Sequence, residues 1–263
     1  MTNKYFTVEV KPTITGAQQN GNSAVFSDND VLFDWTSFEV PKGASKLTAA
    51  TLLMRGKDGA KQVEIDLDLL FAKTVDGTAP VTLGDPNLTA SGLPVLTNHI
   101  IGMIHIDSAG DYGVQGLDHF SIASTGSGAA NSLIPNMVLQ GEPDSGGNVG
   151  FDTLYIAGLC GANSLSFGTK VLVRGAISAN NTTTIPTDLD GSADSDPNAE
   201  TIFAPGDVLQ TATGDDVGTI SSISAFDTDH QDIILTANNV DAIGDDEELF
   251  NINPIRIILS FEK

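Results

Sequence analysis

The chain of 263 residues carries 12 Lys+Arg against 34 Asp+Glu, a formal net charge of -22, and a single cysteine. That excess of one sign opposes binding to nucleic-acid phosphates or an anionic membrane surface, and one cysteine excludes a disulfide within the chain. No stretch reaches the roughly 20 apolar residues of a membrane-spanning helix, and the opening Met-Thr-Asn-Lys-Tyr-Phe-Thr-Val lacks the features of a secretory signal.

Period-two alternation of apolar and polar residues, the mark of strands with one buried face, dominates from the start. It predicts strands over 5–10 and around Val31, Phe33 and Trp35. Residues 46–55 and 62–73 flank Gly56-Lys57-Asp58-Gly59, whose Asp-Gly pair favours a hairpin turn. In the second of these segments Val63, Ile65, Leu67 and Leu69 alternate with carboxylates. Further strands are predicted over 98–106, 119–123, 133–140, 151–159 and 170–177, and Ile255, Ile257, Leu259 and Phe261 alternate at the C-terminus. About ten strands punctuated by Gly and Pro, without a helical period, predict an all-β sandwich or jelly roll.

Charge divides the chain. Residues 186–253 hold 16 Asp+Glu and no Lys or Arg, whereas the other 195 residues hold 18 acidic and all 12 basic residues. The shift predicts a separately folding module after the polar run Ser178-Ala179-Asn180-Asn181-Thr182-Thr183-Thr184. Its short strand candidates, at 208–209, 217–223, 232–236 and 248–252, suit a small SH3-like barrel. The expected organisation is a main sandwich over 1–185, an acidic barrel over 186–253 inserted into it, and 254–263 returning as its last strand against 170–177.

The residues with chemistry do not assemble into a reaction centre. Asp144-Ser145-Gly146-Gly147 resembles the nucleophile loop of trypsin-like proteases over four residues, but Pro143 and Asn148 depart from that pattern and no histidine stands in the family's motif. Cys160 lies among small and apolar residues and reads as a buried hydrophobe. His99 and His105 share a strand face but sit about 20 Å apart at ~3.3 Å per residue, too far for one ion, and His105 with Asp107 makes too few ligands.

Oxygen-rich alternation at Asp188, Asp190, Ser192, Asp194 and Asp196 is the calcium candidate. It departs from the EF-hand pattern at Gly191 and Ala199, so a solvated acidic loop is the competing expectation. Asp227, Asp229, His230 and Asp232 form a second such group, and Asp245-Asp246-Glu247-Glu248 reads as a charged turn. Trp35 is expected in the core, with a sugar-stacking platform as the alternative. Asn87-Leu88-Thr89 and Asn180-Asn181-Thr182 match glycosylation sequons, a match that carries little without a secretory signal.

Near the C-terminus, Phe203-Ala204-Pro205-Gly206-Asp207-Val208, Val217-Gly218-Thr219-Ile220-Ser221-Ser222, Ile234-Leu235-Thr236-Ala237-Asn238-Asn239 and Leu249-Phe250-Asn251-Ile252-Asn253-Pro254-Ile255 form a longer signature. It resembles virion structural proteins of marine tailed bacteriophages, particularly those infecting cyanobacteria, over residues 200–263 and in composition beyond them. The resemblance implies a non-enzymatic capsid decoration protein on the virion exterior. It also implies a major capsid protein as partner, a homo-oligomer such as a trimer, and assembly in the host cytoplasm without a cofactor. Three rivals stand beside it: a tail, baseplate or fibre component that contacts the host through the Gly/Ser-rich loop at 124–131; a secreted calcium- or carbohydrate-binding β module; and a hydrolase dependent on Ser145.

Overall fold

A computed structural model describes residues 4–20, 25–113, 117–126, 133–142, 150–162, 164–188, 198–225 and 230–263. The chain is all-β. Two antiparallel sheets face each other across one core. The first orders β1 (Tyr5–Val10), β15 (Ile255–Glu262), β3 (Ser45–Arg55) and β6 (Phe120–Ser124), with short β7 (Met137–Leu139) added to β3. The second orders β2 (Val31–Pro41), β8 (Phe151–Cys160), β4 (Leu67–Lys73) and β5 (Ile100–Ile106).

Alternation explains which face each strand buries. In β15, Ile255, Ile257, Leu259 and Phe261 are buried and the residues between them are not. Leu67, Leu69 and Phe71 of β4 meet them from the opposite sheet in the same core. Phe38 bridges the layers, its ring 6.4 Å from Phe71 and 6.5 Å from Phe261. Each such side chain contributes about 1.5–3 kcal/mol by leaving water. The second sheet is covered on its outer face too. Leu83 and Leu96, from the segment between β4 and β5, pack on Val31 and Ala157. That second layer is why Val31, Leu32 and Phe33 are buried in succession, and register shifts either side of Phe33 let consecutive side chains find cover. Trp35 packs half-buried against this outer cluster and not in the main core, and its indole N–H donates to the Val81 carbonyl at 2.8 Å.

The Asp58-Gly59 turn forms, with φ of 50° and 70° and a bridge from Lys57 to Ala60. Its flanking segments nevertheless separate. β3 pairs with β15 and β6, while β4 crosses to the other sheet between β8 and β5. The predicted strand over 62–73 is ordered as a strand only from Leu67, because upstream polar groups find individual partners. The Gln62 carbonyl accepts from Ser121 Oγ, and the Ile65 carbonyl from the Tyr112 hydroxyl.

The smaller sheet runs β14 (Leu249–Asn251), β11 (Val208–Thr211), β12 (Asp216–Ile223), β13 (His230–Leu235), β10 (Thr184–Asp188) and β9 (Leu172–Val173). Its two ends meet: Leu172 bridges Glu248, Val173 N–H donates to the Glu247 carbonyl and Leu249 N–H to the Val171 carbonyl, both at 3.0 Å. The ring closes a second core that includes Ile185, Leu209, Val217, Ile233 and Leu249, with Ile202 of the short helix α2 (Ala199–Ile202) packed in it. The expectation that 170–177 pairs with the last strand is corrected here. β15 lies between β1 and β3, whereas Val171 and Val173 point into the smaller core. The barrel therefore begins near residue 170 and not at 186, and 170–253 holds 16 acidic against 2 basic residues. Both ends of this segment return to one turn of the sandwich: Asp58 N–H donates to the Gly168 carbonyl and Arg55 N–H to the Pro254 carbonyl.

Candidate interaction surfaces

The two cores are joined by a polar seam. Ile14 N–H donates to the Ile252 carbonyl, and the buried Gln19 amide, on the short helix α1 (Gly16–Asn20), donates to the carbonyls of Ile14 and Asn251 at 2.6 and 2.8 Å. A Cβ on Gly16 would overlap the Thr211 carbonyl, so glycine permits this close approach. Beside the seam lies a cleft of about 400 Å³ lined by Lys11, Arg55, Asp207, Asn251 and Arg256. Its cations are already answered by carboxylates. Arg55 grips both oxygens of Asp207 at 2.8 and 3.0 Å, and Arg256 and Lys11 share Glu9. The seam thus fixes how the barrel is mounted.

The calcium candidates are only partly within the described residues. Asp188 ends β10 opposite His230, and Asp232 lies opposite Pro186 in the same ladder. Asp190, Asp194 and Asp196 fall outside the described residues, as do Asp227, Asp229, Ser145 and its neighbours, and most of the 124–131 loop. Among the described residues no three His, Cys, Asp or Glu side chains converge as a metal site. The acidic turn at 245–248 does more than charge the surface. Asp245 accepts Gly175 N–H, Glu247 accepts Gly244 N–H and the Thr213 hydroxyl, and Glu248 accepts the N–H groups of Thr169 and Lys170. Asp245 and Glu248 thereby fasten the seam where the barrel closes, and Glu247 ties the turn to Thr213.

Histidines and cysteine take structural places. His99 is buried with Nδ1 3.0 Å from the Lys73 carbonyl, at the opposite end of β5 from His105. His105 Nδ1 meets Asp68 Oδ1 at 2.8 Å on the outer face, and that bond raises the imidazole pKa despite some desolvation. Asp66 is held below the usual carboxylate range by the Ser108 backbone N–H. Burial pushes the Cys160 thiol up to about 12, with Asp30 and Asp28 adding to the effect, so it is no nucleophile near neutral pH. Asn87 is buried and donates to the Gln18 carbonyl, which removes that sequon from reach.

Exposed apolar side chains are concentrated where charge is absent. Residues 86–106 and 119–141 contain no Asp, Glu, Lys or Arg. The first stretch exposes Leu88, Leu93, Val95, Ile100 and Met103, the second Leu133, Ile134 and Val138. These eight belong to the 12 large apolar residues exposed among the described residues. The fold brings the stretches into contact where Met137 of β7 fills the space a side chain would take at Gly102 of β5, whereas Leu88 lies beside Val31 of β2, at the opposite edge of the same sheet. Sequence reading missed this contact, although the two uncharged runs were its legible signal. A separate shallow hollow, bounded by Gln18, Asp34, Trp35, Ser37 and Asp85, is mainly polar. Compared with known proteins, the chain matches no family model, no curated protein and no solved structure.

Proposed function

We propose that the chain is a non-enzymatic virion structural protein, a capsid decoration protein that seats its sandwich on the outer surface of a major-capsid-protein shell and projects the acidic barrel into solvent. The observation that carries this reading is the partition of the surface. Most of the exposed large apolar residues belong to two uncharged runs of the sandwich, whereas 16 of the 34 acidic residues lie in the barrel segment. An uncharged apolar face suits protein contact, and an acidic projection discourages contact with DNA and between particles. Strand order supports the same reading. β1 pairs β15, β2 pairs β8, β3 pairs β6 and β4 pairs β5, nested pairs that alternate between the two sheets. This is the order of a jelly roll, an architecture used by viral capsid and lectin domains. The barrel occupies the connection between the last two long strands, where it adds a module without interrupting the nest.

Co-sedimentation with shells of the cognate capsid protein tests the assignment. The full chain should sediment with the shells, as should a chain with 170–253 replaced by a short Gly-Ser linker. The Ile134→Asp/Val138→Asp variant should not. Failure of the folded full chain to bind shells overturns the proposal. The hollow beside Trp35 favours a second reading, a host-facing carbohydrate contact on a tail or fibre component, because an indole among hydroxyls and carboxylates suits sugar binding. Glycan binding abolished by Trp35→Ala would favour it.

A further inference from the structure

Sheet edges expose unpaired N–H and C=O groups, and soluble proteins blunt them with charge, proline, bulges or cover. The edges at β1, β2 and β6 follow that rule. β2 carries Asp34, Glu39 and Pro41 and two register shifts, and β1 carries Glu9, paired with Lys11. β6 is capped by the Tyr112–Ala123 bridge and by Ser124 N–H donating to the Asp111 carbonyl. β5 departs from it. Its sequence, Ile-Ile-Gly-Met-Ile-His-Ile, has no charge or proline, and among the described residues no strand pairs with its outer edge. Met103, at its centre, is 56% exposed.

We propose that β5 pairs with the β5 of a second copy of this chain, antiparallel and two-fold symmetric about Met103, joining two four-stranded sheets into one of eight. Charge selects this occupant and this direction. In a chain of net charge -22, a copy can approach closely only where like charges are not brought together. The Ile106 end of β5 is acidic, with Asp68 opposite His105, Asp66 bonded to Ser108 and Asp107 next in sequence. The Ile100 end adjoins Lys73, whose N–H donates to the His99 carbonyl, and follows the uncharged run from residue 86. Antiparallel pairing sets each acidic end against the other copy's Ile100 end, where Glu142 offsets Lys73. Parallel pairing would set acid against acid. The pairing gives two-fold symmetry in place of the trimer expected from the resemblance, and it is independent of the capsid reading.

Sedimentation velocity on the isolated full chain across a concentration series tests it. The wild-type chain should dimerise. Met103→Asp and Met103→Lys should each weaken dimerisation by about tenfold or more, because like charges then meet at the axis, with circular dichroism unchanged. An equimolar mixture of the two variants should dimerise again. A monomeric wild-type chain, a three-fold species, or a dimer indifferent to both substitutions overturns the proposal. Because no capsid protein is present, loss of shell binding by an intact dimer would count against the capsid reading alone.

Discussion

The sandwich and the barrel solve the same problem under different charge. The sandwich builds its core from long strands in two facing sheets, so apolar contacts such as those of Phe38 with Phe71 and Phe261 carry its stability. The barrel has strands of two to eight residues, and its closing seam depends on carboxylates that accept backbone N–H groups, including Asp245 and Glu248. Acidic residues can therefore be dense in the barrel without being merely a solvated coat. Some are structural acceptors, while all but Val240 of the exposed large apolar residues described lie in the sandwich.

Paired core truncations test this difference most strongly. Phe71→Ala in the sandwich should cost about 3–5 kcal/mol and Leu209→Ala in the barrel about 2–5 kcal/mol, since both side chains are fully buried. If the cores are separable, hydrogen exchange should show Leu209→Ala releasing barrel amides while those of β4 and β15 stay protected. Equal loss of protection in both regions would show that the seam makes them one cooperative unit.

The seam itself gives the intermediate effect. Arg55→Ala should lower the stability of the barrel's mounting by about 1 kcal/mol, a value reduced by the partial exposure of the guanidinium. A double-mutant cycle with Asp207→Ala isolates the pair, although Asp207 also accepts Ala204 N–H and its own loss should be larger. Gly16→Ala should act in the same direction by forcing α1 away from Thr211. Resistance of Cys160 to alkylation at pH 8 in the native chain, with rapid reaction after unfolding, checks that the sandwich core stays closed.

The smallest effect concerns the His105–Asp68 pair on the outer face of the sandwich. The folded pKa of His105 is raised, so its contribution to stability is present below the unfolded value, about 6.5, and is lost as pH rises through the folded value. Both groups are exposed, so the stability change is small and the direct readout is an NMR titration. Asp68→Asn should move the His105 midpoint down toward its ordinary value.

Alternation alone determined the strand character of β1, β4 and β15 and the face each one buries, because a period of two leaves a single arrangement with the apolar residues inside. The composition shift likewise announced a second module. Partners were not determined by the sequence. The Asp58-Gly59 turn predicts neighbours, yet its flanking strands lie in opposite sheets, since long-range burial against β15 and β8 outweighs the local turn. Residues 170–177 carry the same alternation as a sandwich strand, and only the second core, closing on Val171 and Val173, assigned them to the barrel. The net charge of -22 was legible from composition, but its meaning was not. Folding decided that two uncharged runs meet where Met137 packs over Gly102 while carboxylates fasten the barrel, because burial and hydrogen bonding act between residues that only the tertiary structure brings together.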